Sequence, residues 1–142
     1  MSSPSLPPFH LAFPIKSIAE TRAFYIDILG CAEGRSTEAW IDFDFFWHQL
    51  SAHFRPDAGQ NKGAGTVDGD AVPIPHFGAV LEWDIWHDLA DRLKAANVPF
   101  LLEPKIRFKG EPGEQGTFFV EDPAGNGLEF KTFRDPAMIF AH

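Results

Sequence analysis

The feature that most constrains this chain is that its opening is stated twice. Phe9–Ile15 (FHLAFPI) alternates its apolar residues as a strand does. Ser17 with Glu20 three positions on then makes a helix-capping box, followed by an apolar repeat at helical spacing from Ile18 to Leu29 that stops at Gly30. From Pro75 the pattern returns. HFGAVLEW predicts a strand, Asp84 a helix cap, 85–96 a helix, and Asn97 ends it as Gly30 ended the first.

Strands follow each opening. Trp40–Phe54 predicts two strands joined by a tight turn, and Phe100–Phe108, Thr117–Val120 and Gly127–Phe133 predict three more, the last entered through the turn 122–127. The order is βαβββ in the second unit, and the repeat implies the same for the first, where two of the three later strands are placed. One helix for several strands implies an α+β fold in which two βαβββ modules form a curled mixed sheet, helices outside, with a cleft between the halves. With 142 residues, 44% of them hydrophobic, the chain suits one domain, 1–142. Module one runs over about 8–55 and module two over about 75–135, and the Gly-, Asp- and Pro-rich linker 56–74 predicts a loop without strands.

Charge narrows the partners. A net charge of −8 disfavours nucleic acid and anionic membranes. No apolar stretch approaches the ~18 residues needed to span a bilayer, and MSSPSLPPF lacks the basic start of a secretory signal. The expectation is a cytoplasmic protein with a small-molecule substrate. Cys31, the only cysteine, leaves no intrachain disulfide and no CxxC site. Fifteen Phe and four Trp must stabilise the fold by burial, and they suit an apolar pocket.

Side chains alternate along a strand, so parity separates the polar residues that face away from the core. Phe77, Ala79 and Leu81 leave His76 opposite; Leu128, Phe130 and Thr132 leave Glu129 and Lys131; Leu50, Ala52 and Phe54 leave Gln49, Ser51 and His53. Under the repeat His10 corresponds to His76 and Gln49 to Glu129, so an approximate twofold is expected to gather these four near one axis. Two imidazoles and one carboxylate on rigid strands offer a divalent transition metal three protein bonds and leave positions open. A lone strand histidine is more often a packing residue; equivalence under the repeat favours ligation here. Arg107, Lys109 and Lys131 read either as a solvated set or as groups that meet an anionic substrate.

FHLAFPI with the helix ending FYIDILG, then HFGAVLEW, then FFVEDPAGNGLEF resemble the vicinal oxygen chelate superfamily. It includes glyoxalase I, bleomycin and fosfomycin resistance proteins and extradiol dioxygenases. The likeness runs from Phe9 to about Asp135, and DPAGNGLEF is its most specific part. It implies the ligand set of the extradiol iron enzymes, which falls on His10, His76 and Glu129. Glyoxalase I usually adds a fourth ligand, commonly Glu, where this chain has Gln49, so the resemblance implies three ligands. HQLSAHF looks most like small proteins grouped with extradiol dioxygenases. The ring-cleaving enzymes resemble two such domains in tandem and place a tyrosine near the metal, whereas Tyr25 falls on helix one and reads as a packing residue.

Those enzymes also use a fourth-strand histidine as acid and base. His53 shares the face of Gln49 and is the candidate proton shuttle, although four residues at ~3.3 Å each separate the two; His48 has the other parity. The implied function is a metal-dependent dioxygenase acting on a catecholic or enediol substrate, with Gln49 and His53 catalytic and Fe(II) as cofactor. The alternatives are a glyoxalase-like isomerase or resistance transferase using Zn, Ni or Mn, and a metal-free protein that binds an aromatic ligand. Superfamily members of this length usually pair, so a homodimer is expected.

Overall fold

In the computed structural model, which describes residues 6–59, 63–67 and 69–142, each module closes into its own four-stranded sheet. Module one contains β1 (His10–Ile15), helix α1 (Ile18–Arg22), β2 (Ala32–Ser36), β3 (Trp40–Phe45) and β4 (His48–Phe54), ordered β1-β4-β3-β2 across the sheet. A hairpin of β5 (Gly63–Val67) and β6 (Asp70–Ile74) comes next. Module two contains β7 (His76–Leu81), helix α2 (Trp83–Ala95), β8 (Phe100–Arg107), β9 (Gln115–Glu121) and β10 (Gly127–Phe133), ordered β7-β10-β9-β8. In each sheet the first and last strands of the module pair parallel and the rest antiparallel.

Local chemistry accounts for the elements. Ser17 Oγ accepts the Glu20 N–H at 3.2 Å to start α1, which passes into a π-helical turn over Ala23–Ile28. Gly30 ends the first helical segment at φ +84° and Asn97 follows the second at φ +58°, both left-handed. Helix α2 starts two residues earlier than the sequence predicts. Glu82 holds its N-cap position without a side-chain bond, and Asp84 sits in the first turn, where its charge favours the helix N-terminus. The β3–β4 turn puts Phe46 and Trp47 at φ 50° and 78°, a conformation that usually selects Asn or Gly. It is held by the Trp47 N–H on Asp44 Oδ1 at 2.8 Å and by Phe46 packing on Phe130, ring centroids 5.8 Å apart.

The linker departs from the sequence expectation. Segment 56–74 is not strand-free, because β5 and β6 pair from Gly63↔Ile74 to Val67↔Asp70. Its glycines and Pro73 carry no apolar alternation, so the hairpin rests on backbone pairing and on module two. Val72 is buried, and Asp70 Oδ2 lies 2.5 Å from Lys105 Nζ on β8. No helix among the described residues is long and apolar enough to cross a membrane.

One apolar core serves both modules. Phe13 meets Phe77 with centroids 5.0 Å apart, and Phe45 meets Phe130 at 5.8 Å. Tyr25, fully buried, stacks on Phe43 at 4.9 Å and donates its hydroxyl to Asp122 Oδ2 at 3.0 Å, so it is indeed a packing residue and also a bridge. Asp122 further accepts the Ala124 and Asn126 N–H groups and the Asn126 side-chain amide, each at 2.9 Å. The same amide donates to Pro14 O at 2.8 Å. Burial raises the Asp122 carboxyl above its ordinary 3.8 against the pull of these donors. Burial first, and then the Asp122 charge, push Tyr25 well above 10. Burial likewise pushes the Cys31 thiol up to about 12, which makes it unreactive at neutral pH.

A carboxyl raised on folding stabilises fully below its unfolded value of ~3.9, and that contribution is lost as pH rises through the folded value. Wild type is therefore expected to gain stability relative to Asp122→Asn on acidification from pH 7. Denaturant midpoints of the two proteins across that range check it; a constant gap refutes it. Asp122→Ala, which orphans buried donors, is expected to cost about 3 kcal/mol.

Candidate metal centre

The β1–β4 ladder sets His10 directly opposite Gln49. Their side chains meet, His10 Nδ1 to Gln49 Oε1, at 2.9 Å. An amide oxygen only accepts, so the proton lies on Nδ1 and the Nε2 lone pair is left free. Gln49 Nε2 in turn faces Asp42 Oδ2 at 3.5 Å, and Asp42 Oδ1 accepts the Ser51 hydroxyl at 2.6 Å. Both ends of the Gln49 amide are thus engaged.

Module two builds the matching pair with a carboxylate. His76 Nδ1 donates to Pro73 O at 2.6 Å, which again leaves Nε2 as the acceptor nitrogen. That nitrogen lies 3.1 Å from Glu129 Oε1. Two lone pairs face one another there, an arrangement that calls for a proton or a cation between them. Donor atoms ~2.1 Å from one ion and at right angles stand about 3 Å apart, so the pair fits a divalent metal. Thr117 donates its hydroxyl to Glu129 Oε2 at 2.6 Å, and the Phe119 ring meets the His76 ring edge-on at 4.8 Å. Gly78 is opposite Glu129 in the ladder, and a Cβ on it would strike the Glu129 carbonyl.

The structure therefore brings the four predicted residues together as two pairs. Among the described residues no group of three His, Cys, Asp or Glu side chains is placed to hold one ion. The correspondence between modules holds in parity but not in register. His10 is opposite Gln49, whereas His76 is opposite Gly127 and reaches Glu129 diagonally, an offset of two residues. His53 joins neither pair. It lies opposite Pro14 and Trp40 and lines a cavity of about 540 Å³ with Ala12, Arg55 and Asn126. His48 Nδ1 accepts the Phe9 N–H at 2.8 Å and supports the backbone.

Thr117, Gly78, Pro73 and Asp42 escaped the sequence reading. Two of them had a signal. Counting back from the turn 122–127 aligns Glu129 with Phe119 and sets Thr117 beside it, and counting back from the turn at Phe46 aligns Asp42 with Ser51.

Two βαβββ modules, each with such a pair on its parallel first and last strands, define the vicinal oxygen chelate class of fold. The chain belongs to the Glyoxalase/Bleomycin resistance protein/Dioxygenase superfamily, whose profile matches residues 8–130. It is 31% identical to a glyoxalase/bleomycin resistance protein/dioxygenase from Alicyclobacillus acidocaldarius, with TM-score 0.79 over 99% of this chain and 100% of that one. Lactoylglutathione lyase from Agrobacterium tumefaciens shares the fold at 14% identity and TM-score 0.62, over 99% of this chain and 100% of that one. So does the genomically encoded fosfomycin resistance protein from Listeria monocytogenes, at 18% and 0.64, over 93% and 94%. A search of the curated proteins finds no match.

Because β7 and β10 approach too closely at Gly78 for any side chain, Gly78→Ala is expected to destabilise the protein by about 2–3 kcal/mol. Thermal unfolding checks this, and an unchanged midpoint refutes it.

Proposed function

We propose that the protein is a metal-dependent enzyme of the extradiol dioxygenase type, acting on a catecholic or enediol substrate, with Fe(II) held by His10, His76 and Glu129. One observation carries the reading. The Gln49 amide is spent on His10 and Asp42, so it orients a ligand and does not act as a fourth one. What is left is two histidines and one carboxylate with open positions, the donor set of non-haem Fe(II) oxygenases. When bound, the metal would supply Lewis-acid polarisation of two vicinal substrate oxygens and, as iron, redox chemistry.

The chain's own residues do the positioning. Gln49 and the Pro73 carbonyl hold both imidazoles through Nδ1, so that the His76 Nε2 is set against Glu129, Thr117 fixes the Glu129 carboxylate, and the Phe119 ring packs against His76. His53, about 13 Å from Gln49 along β4 at ~3.3 Å per residue, is the histidine proposed for proton transfer. It is removed from the reaction if His53→Gln keeps wild-type turnover and pH profile. A redox-inert Zn, Ni or Mn in the same set would instead serve an isomerase or transferase, the reading favoured by the names of the lyase and resistance-protein neighbours.

With the ligands in two separate pairs, we further propose a twofold homodimer in which His10 of one protomer joins the partner subunit's His76 and the partner subunit's Glu129. An isologous interface makes two such centres at once. The buried free thiol of Cys31 suits a reducing compartment, and we place the protein in the cytoplasm.

Metal analysis of tag-free protein, followed by oxygen uptake on a panel of catechols after anaerobic loading with Fe(II), tests the reaction. Uptake is expected; none with iron, alongside turnover of a hemithioacetal with Ni or Zn, would move the protein to the isomerase class. His10→Ala and Glu129→Ala are each expected to fold and lose metal, and their mixture to recover one centre per heterodimer. Recovery of none would place the site within one chain or nowhere. Thr117→Val is expected to weaken metal affinity by about tenfold with the fold intact.

A further inference from the structure

The oxygen and nitrogen ends of the Gln49 amide are nearly alike in shape, so packing alone does not decide which of them faces His10. The deciding group lies on β3. Asp42 is opposite Ser51 in the β3–β4 ladder and reaches Gln49 on the diagonal, two residues along β4 on the same face. It is only 9% exposed. Ser51 donates its hydroxyl to Asp42 Oδ1 at 2.6 Å, which leaves Oδ2 toward Gln49 Nε2 at 3.5 Å. A Cβ on Gly34 of β2 would come within 3.2 Å of the Asp42 Cβ, so the neighbouring strand packs close against that side chain. Asp44, the direct ladder partner of Gln49, has its Oδ1 on the Trp47 N–H instead.

A contact of 3.5 Å is long for a hydrogen bond, but here the sign of the interaction matters more than its strength. The reversed amide would set its oxygen against a buried carboxylate oxygen, two acceptors with no proton between them. A carboxylate only accepts, so it faces the amide NH2 and turns Oε1 toward His10. Oε1 accepts in its turn, which holds the proton on His10 Nδ1, 2.9 Å away. The tautomer on β1 is thus chosen from β3, with β4 between them in the sheet. Module two reaches the same state in one step, because the Pro73 carbonyl accepts from His76 Nδ1 directly.

We propose that Asp42 is a positioning residue for His10: held by Ser51, its carboxylate orients the Gln49 amide and through it keeps the His10 proton on Nδ1 and the Nε2 lone pair open. The relay from Asp42 through Gln49 to His10 lies wholly within module one. That the open Nε2 then takes a metal rests on the function proposed above.

Heteronuclear NMR of the ring nitrogens in the full-length, metal-free protein at pH ~8.5, above the ordinary histidine range, reads the tautomer of each imidazole. The His10→Ala variant assigns the His10 signals. Wild type is expected to show His10 protonated at Nδ1. Asp42→Leu, which keeps the branched shape and removes the acceptor, is expected to give a mixture of His10 tautomers while His76 keeps its own, a control for the folded sheets. Adding Gln49→Glu to Asp42→Leu sets an acceptor against His10 whatever occupies position 42. It is expected to return the proton to Nδ1, a rescue that a merely structural defect at position 42 would not allow. Asp42→Ala carries the same expectations if the leucine variant does not fold. His10 protonated at Nε2 in wild type, or unmoved in folded Asp42→Leu, overturns the relay. Zinc titration separates this relay from the metal reading. Affinity about tenfold weaker in Asp42→Leu is expected, whereas unchanged affinity with a shifted tautomer keeps the relay and removes His10 from the metal set.

Discussion

The arrangement of the molecule depends on one buried hydrogen bond, from the Tyr25 hydroxyl to Asp122. Apolar packing brings the modules together, but the hydrophobic effect has no direction and tolerates sliding. Asp122 supplies the direction. It takes a hydrogen bond from the first helical segment, gathers the turn that launches β10, and through Asn126 ties that turn to the Pro14 carbonyl on β1. A buried carboxylate with this many partners has one satisfactory position. The cost is desolvation, visible in the raised Asp122 carboxyl and the raised Tyr25 phenol.

The two histidine pairs, each set by the parallel ladder of its own module, are alike in logic and unlike in charge. Each spends a histidine Nδ1 on an oxygen so that Nε2 is offered to the site. Module one sets a neutral amide beside its imidazole, and module two a carboxylate fixed by a threonine hydroxyl. The negative charge is therefore on one side only. That is also the side where the inserted hairpin packs, with Asp70 on Lys105 and the Pro73 carbonyl on His76.

The hairpin shows how an insertion changes a duplicated fold. Without it, His76 would lack the Pro73 carbonyl that sets its tautomer, and Lys105 would lack Asp70. Pro73 also packs against Gly127, the residue facing His76 across the ladder. A segment with no hydrophobic period thus acts directly on the candidate site.

The sequence alone determined both helices, most of the strands and which way their side chains point, because caps, turn residues and the period-two alternation are local properties; β2 and the β5–β6 hairpin, which lack that alternation, were not legible. The two βαβββ modules, the stops at Gly30 and Asn97, the packing role of Tyr25, and the shared face of Glu129 and Lys131 were all legible that way. Only tertiary structure decided which residues on that face meet. The two-residue register offset between modules, the close approach at Gly78 and the strand pairing of 63–74 depend on how separate strands slide against each other, and sliding by two residues preserves parity. Hence parity could select His10, Gln49, His76 and Glu129 as facing residues, yet their division into two pairs needed the packed molecule, because it is set by the register of β1 on β4 and of β7 on β10.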